Sequence, residues 1–443
     1  MTAPAGIGAG LLVLHDVVTA SVPVDATGAD DAATDAATDA AVPAARDSRL
    51  QRLLVVVGIV VLAFNLRPAA SSVGPLLEEI RAGVPLGSLE AGLLTTLPVL
   101  CFAIVGGAAP RLASWVGLHR VTLLGLLLLS GCLWWRGHVH QGWLFLVLSF
   151  AALAGAAAAN VLMPSLVKRH FPGRVGQLTA VYTTSMAIGL TLSSALSVPI
   201  ATAGGDHADY TRGLGAWAVT AAIAVLPWIG LVGHDLHEGR RTRSLGITAI
   251  ARTRLGWAMV GAFGLQSLQA YAVFGWFAQM CRDAGYSAET SGVLLGVVTG
   301  ASIPLSLLIP LLAGRMRDQR WLLTALMACY PIGYLGFLAD PRPLGWLWAL
   351  AIGCGASTFP LVLTMIGLRS RTPEGTAALS GFTQSAGYLI AAAGPFGIGA
   401  LHAATGGWTV PILTLLALCV PLHLCGMYAA RDRYVEDELP ARG

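Results

Sequence analysis

Twelve apolar segments, each near the thickness of a bilayer's hydrocarbon core, leave this chain few ways to fold. They run approximately over residues 53–77, 89–112, 119–135, 143–165, 176–201, 214–233, 255–280, 288–313, 321–338, 344–367, 377–400 and 408–428. A helix of about 20 residues crosses a core of about 30 Å. Lipid offers nothing to an unpaired backbone N–H or C=O, so each segment predicts a helix. The chain is 55% hydrophobic and 11% charged, whereas soluble domains carry about 25% charged residues. The fold class that follows is an all-α membrane protein with twelve transmembrane helices.

An even number of spans puts both ends on one side. That side holds 21 of the 27 Lys and Arg residues, and the other holds Arg81, Arg136, Arg212, Arg282 and Arg342. Basic residues concentrate in cytoplasmic loops. Both termini are therefore expected in the cytoplasm, and the protein in the plasma (inner) membrane.

The two halves repeat at an offset of about 200 residues. Ser88-Leu89-Glu90 opens the second span and Ser287-Ala288-Glu289 the eighth. Pro172 and Pro373 close the loops after spans four and ten, and Arg111 and Arg315 follow spans two and eight. The expected organisation is two pseudo-symmetric six-helix bundles, 49–233 and 255–430, joined by a basic linker at 234–254 and followed by a tail at 431–443. Residues 1–48 are Ala/Asp-rich, repeat AATD and cannot bury a core, so they predict a disordered tail. Their short apolar piece lacks a preceding basic stretch, which argues against a secretory signal. Carriers built from repeated halves bind solute near the midplane between them.

Arg67 remains, the one charge in LLVVVGIVVLAFNLRPAASSVGPLL. A cation at membrane depth is disfavoured by roughly 2.5–3.5 kcal/mol and usually faces a solute path. No later span offers an Asp or Glu well inside it, so the expected partner arrives from solution as an anion or strong acceptor. Near a helix end, an Arg can instead snorkel to the interface. Pro68 removes a backbone bond beside it and frees the Phe64 carbonyl, a local opening suited to a cavity wall. Polar groups on other spans add candidates: Asn65 and Asn160; Gln266, Gln269, Tyr271 and Trp276 on span seven; Gln384 and Tyr388 on span eleven. Each serves equally as an interhelical hydrogen bond, worth about 0.6 kcal/mol on average, or as packing. Gly292, Gly296 and Gly300 form a GxxxGxxxG stripe that predicts close helix packing.

Enzyme motifs are absent. Gly6, Gly8 and Gly10 lack a strand–turn–helix setting. Ten histidines and seven cysteines show no ligand spacing, so no catalytic residue, metal or cofactor is expected. The cytoplasmic arginines are expected to meet lipid headgroups, without nucleic acid.

Six plus six helices around a basic loop resemble the major facilitator superfamily. Its loop signature, Gly-x-x-x-Asp followed by basic residues, is matched by Gly314, Arg315, Asp318 and Arg320, while the first-half copy has Pro110 and Ser114 at the Gly and Asp positions. Asn65-Leu66-Arg67-Pro68, Thr95-Thr96-Leu97-Pro98 and Gln266-Ser267 resemble the CynX/NimT group of cyanate and 2-nitroimidazole transporters. The resemblance implies spans one, four, seven and ten around a central cavity. It implies a carrier of a small anionic or polar nitrogen-containing solute working by alternating access; a monomer is expected, and protons are a candidate coupling ion that the sequence leaves open. The rival readings are a drug or multidrug efflux carrier of the same superfamily and a non-transporting membrane receptor.

Overall fold

The computed structural model describes residues 49–86, 88–203, 209–232 and 246–439. The 1–48 tail and most of the 234–254 linker lie outside the described residues. Twelve helical spans follow one another. We number them α1 (Arg49–Asn65, resuming as Pro68–Ser71), α2 (Ser88–Val116), α3 (Leu118–Arg136), α4 (Gly142–His170), α5 (Val175–Thr202) and α6 (Tyr210–Leu231). The second set is α7 (Arg254–Asp283), α8 (Ala288–Gly300 and Ser302–Arg315), α9 (Arg320–Ala339), α10 (Gly345–Ala356 and Thr358–Leu368), α11 (Pro373–Thr405) and α12 (Thr409–Ala429).

Eleven of the spans are long and apolar enough to cross a bilayer. The exception, α7, has 30 residues but carries Gln266, Ser267, Gln269 and Gln279, which dilute its hydropathy. Such polar content suits a helix whose neighbours are protein. The seven cysteines are free thiols.

Helices α1–α6 pack together, as do α7–α12, and two long seams join the sets: α2 against α11 and α5 against α8. Since α8 is the repeat of α2 and α11 of α5, this reciprocal pairing is what two-fold-related halves require. The seams close on the face where α2, α4, α8 and α10 end, which we call the basic face. There Gly176 of α5 and Gly314 of α8 meet backbone to backbone; a Cβ on Gly176 would lie 2.6 Å from the Gly314 Cα. Gly381 of α11 abuts Pro110 of α2, again 2.6 Å from a virtual Cβ. The Thr183 hydroxyl donates to the Ser306 carbonyl (2.8 Å), Ser165 to the Pro373 carbonyl (2.7 Å), Ser380 to the Val161 carbonyl (2.7 Å) and Ser385 to the Ala103 carbonyl. Among the described residues, hydrogen bonds, ring contacts and glycine approaches between the halves run from the basic face as far as Arg67, Phe102 and Tyr388. None lies beyond them. The halves are thus joined on the basic face.

The glycine stripe of α8 does not pack as its spacing predicts. Gly292, Gly296 and Gly300 each have no atom within 4 Å of a virtual Cβ. The close helix contacts of α8 lie elsewhere, at Val298 against Gly353 of α10 and at Gly314 against Gly176 of α5.

Candidate substrate site between the halves

The site begins with a break in α1. Helix α1 stops at Asn65 and restarts at Pro68, whose ring provides no N–H for the ladder. Three neighbours hold the break. From α6, the Thr220 hydroxyl donates to Asn65 Oδ1 (2.7 Å), while Asn65 Nδ2 donates to the carbonyls of Thr220 (3.2 Å) and Val61 (2.8 Å). From α5, Gly189 lies directly on the Phe64 carbonyl that Pro68 frees, leaving no room for a side chain. Ser185 donates to the Val60 carbonyl (2.8 Å), and the Ser71 and Ser193 hydroxyls share a 2.5 Å hydrogen bond.

From α3 comes Arg136, which the charge count assigned to a loop. It occupies the last turn of α3 and is fully buried. Nη1 donates to the Ala69 carbonyl (3.1 Å) and Nη2 reaches Ser72 Oγ (3.4 Å), which itself donates to the Pro68 carbonyl (2.6 Å). The restarted turn of α1 presents its carbonyls inward, and a guanidinium with five donors in a fixed fork can answer several at once. The sequence signal was Arg136 itself, at the end of an apolar run beside Trp134 and Trp135.

Arg67, half-buried, points out of this frame across the seam. Its Cζ stands 5.6 Å from the centroid of the Phe359 ring, which follows the Ser357 break in α10. Phe359 contacts Phe263 of α7 (5.8 Å), which meets Tyr388 of α11 edge to face (5.1 Å, 81°), and Tyr388 lies 4.9 Å from Phe102 of α2. The Tyr388 hydroxyl is buried with no hydrogen-bond partner, yet lies within electrostatic reach of Arg67 and Tyr271. Arg67 forms no ion pair with a carboxylate among the described residues. One cation and four aromatic rings, drawn from α1, α2, α7, α10 and α11, therefore meet where the contacts between the halves end. Phe102, Phe263 and Tyr388 are buried and back the site, while the half-buried Arg67 and Phe359 are the two members that can meet a solute, with negative charge on the guanidinium and a flat π-system on the Phe359 ring. Phe102, Phe263 and Phe359 were missed in the sequence because isolated aromatics in apolar runs read as core.

Of the other expected ligands, Asn160 and Gln384 meet each other: Asn160 Nδ2 donates to Gln384 Oε1 (2.7 Å), and Gln384 Nε2 to Ser380 Oγ (2.8 Å). They join α4 to α11 on the closed side of the aromatic group. Gln266 donates to the Ala356 carbonyl (2.6 Å), bracing the α10 break, and its Oε1 is buried without a partner. Three expectations turn away from the site. Asn65 is bound to α6, as above. Gln269 faces α9 and α12, donating to the Leu415 carbonyl (2.7 Å) and accepting from the Tyr334 hydroxyl (2.7 Å). Trp276 donates to the Pro395 carbonyl (2.8 Å) and packs on Trp408. Each satisfies its polar atoms within one half, as buried polar groups do. The loop signature lies far from Arg67. Gly314 closes the α5–α8 seam, and Asp318 pairs with Arg320 at 2.7 Å, which holds its carboxyl below the usual range. Arg315 is exposed.

The Major Facilitator Superfamily model matches residues 53–395. The chain is 37% identical over 391 residues to the uncharacterized transporter YycB of Bacillus subtilis (strain 168), covering 88% of this chain and 96% of that one. It is 33% identical to the 2-nitroimidazole transporter of Escherichia coli (strain K12), covering 87% and 97%, and 28% identical to the cyanate transport protein CynX of the same strain, covering 82% and 93%. Among solved structures, the fucose:proton symporter FucP of E. coli superposes with a TM-score of 0.67 at 14% identity, covering 85% of this chain and 98% of that one. The proton:xylose symporter XylE does so at 0.65 and 14%, covering 87% and 96%. These two show the fold. With its twelve helices in two six-helix halves, this chain belongs to the Major Facilitator Superfamily of membrane transporters.

Proposed function

We propose that the protein is a secondary transporter of the plasma (inner) membrane that moves a small, flat, anionic or polar nitrogen-containing solute, of the cyanate or nitroimidazole kind, by alternating access. The observation that carries this reading is Arg67: a guanidinium unmatched by any carboxylate among the described residues, set over an aromatic wall at the mouth of the seam. A solute with delocalised negative charge or strong acceptors satisfies the guanidinium bidentately while its plane lies against Phe359, which the buried Phe263 backs. Both termini are assigned to the cytoplasm by the basic loops. On that assignment we read the structure as a state closed to the cytoplasm, with Asn160–Gln384 and the two glycine seams as the closure below the site. Protons are the proposed coupling ion. No Asp or Glu lies well inside a span, so the proton travels on the solute.

The test is flux into proteoliposomes holding the purified chain, with labelled cyanate, 2-nitroimidazole and a monocarboxylate aromatic as probes. Saturable uptake of at least one, competed by the others, is expected. Protein-independent leak for all three refutes the reading. The aromatic group keeps a second reading in play, export of neutral nitroheterocycles by the same site. Loading the vesicles with probe and following its exit against a pH gradient separates the two directions.

A further inference from the structure

Pro360 does to α10 what Pro68 does to α1. Its ring supplies no N–H, so the carbonyl four residues back, on Ala356, loses its helical partner where α10 breaks. Gln266 of α7 answers that carbonyl, with Nε2 donating at 2.6 Å. A carbonyl can only accept, so this bond fixes which way round the amide stands: nitrogen toward Ala356, oxygen turned from it. Oε1 is then an acceptor in want of a donor. The side chain is buried at 1% exposure, and nothing among the described residues donates to this oxygen. A buried acceptor left unmet is costly.

Its position ties it to the solute site. Helix α7 starts at the basic face and α10 ends there, so Gln266 lies one turn beyond Phe263, and Ala356 one turn beyond Phe359, both on the side away from that face. Residues three apart share a helix face, and Phe263 and Gln266 both meet α10, the one at the Phe359 ring and the other at the Ala356 carbonyl. Two groups of opposite sense therefore attend the restart of α10. The Arg67 guanidinium, over the Phe359 ring, only donates; the Gln266 oxygen only accepts.

We propose that Gln266 reads a ring N–H on the solute, an inference that rests on the function proposed above. A flat heterocycle lies on Phe359, with its acceptor edge on Arg67 and its N–H donating to Gln266 Oε1. The break at Ser357 is where the restarted segment yields to admit that edge to the amide. Cyanate and carboxylates carry acceptors alone and leave the oxygen unmet, so the preferred class is a nitrogen heterocycle that keeps its proton. A deprotonated ring turns a lone pair toward Gln266 where a donor is needed. The proton that travels on the solute is thus one the protein itself selects.

The test is competition against labelled 2-nitroimidazole bound to the purified full chain, using 2-nitropyrrole and 2-nitrofuran, which differ by a ring N–H against a ring oxygen. In the parent, 2-nitropyrrole should compete roughly 5- to 150-fold more strongly, the range for a buried acceptor that gains or lacks its donor. In Gln266→Met the two should compete equally; their ratio within one protein cancels any general weakening the variant causes. Tyr330 of α9 serves as the control, since its hydroxyl is also buried without a partner and its ring packs on Gly355, next to Ala356. Tyr330→Phe should keep the parental ratio, and loss of discrimination there would overturn the assignment to Gln266. Equal competition in the parent, with Arg67→Gln still weakening both ligands, would leave the proposed function standing and remove Gln266 from it. If none of the three ligands binds, the proposed function fails, and the role of Gln266 with it.

Discussion

The Arg67 guanidinium stands over the Phe359 ring, 5.6 Å from its centroid, although the two residues belong to opposite halves of the molecule. A contact of this kind exists only in one relation of the halves, so it joins the site to the transport cycle. It also replaces an ion pair: the cation is met by a π face and keeps its hydrogen-bond donors free for a solute. Cation–π contacts in desolvated settings are worth about 0.5–2 kcal/mol. Replacing Phe359 with Leu keeps the apolar volume near constant and removes the π face. We expect a roughly 2- to 30-fold weaker KM for the transported solute with little change in thermal stability, measured by proteoliposome uptake and a melting curve on the same preparation. An unchanged KM would remove Phe359 from the site.

Arg136 should behave as a framework residue. Arg136→Met fills the same space but removes the donor to the buried Ala69 carbonyl, which ought to cost about 1–3 kcal/mol. The expected outcome is a lower Tm in detergent together with impaired uptake. Arg136→Lys, with one point charge in place of the fork, should recover stability only in part. Equal stability of Arg136→Met and the parent would show that the break in α1 does not depend on this cation.

Gly189 makes a sharper demand. Its Cα face rests on the Phe64 carbonyl, so even Gly189→Ala forces α5 away from α1. Overpacking of this sort costs typically 1–3 kcal/mol. Size-exclusion chromatography of the expressed variant should show a smaller monodisperse fraction than the parent. Gly74, with nothing within 4 Å of a virtual Cβ, serves as the control that should tolerate Ala.

Much of this fold was legible in the chain, and the reason is physical. Span length and the obligation to satisfy backbone groups in lipid leave helices as the one option, and the offset repeat gives two halves. Arg67 was legible for the same reason, as a lone charge in lipid. The rest of the site was not. Gln269 and Trp276 carry the polar atoms a ligand site needs, yet the structure turns them into their own half, because a hydrogen bond to Leu415 or Pro395 looks identical in sequence to one awaiting solute. Phe102, Phe263 and Phe359 are invisible for the converse reason. Phenylalanine in an apolar run carries no mark of which helix it will meet. Arg136 was misplaced because the charge count treats a span's last residue as loop, whereas its side chain turns inward to the α1 carbonyls.

The basic face should respond to acid in a defined direction. Hydrogen bonding from Arg371 holds the Asp437 carboxyl below its ordinary value of 3.8, and Arg320 does the same for Asp318. A depressed carboxylate contributes stability that is fully present above the unfolded pKa and lost as pH falls through the folded one. Attachment of the Val435–Glu438 segment, which Asp437 ties to Arg371, should therefore be constant from neutral pH down to about 5 and weaken below the normal carboxylate range. Limited proteolysis at the 430–439 segment across pH 3–7, with an acid-active protease, reads this directly. Release of this segment between pH 6 and 7 would contradict it.

The most direct measurement is the affinity of the transported solute for Arg67→Gln and Arg67→Lys, by titration calorimetry on purified protein whose melting temperature matches the parent. A charge-assisted pair contributes about 1.5–3 kcal/mol, so Arg67→Gln should bind roughly 10- to 150-fold more weakly. Arg67→Lys should fall between the two, since it restores the charge without the planar fork. Parental affinity and parental flux in Arg67→Gln would show that the guanidinium does not meet the solute, and the proposed site would fall with it.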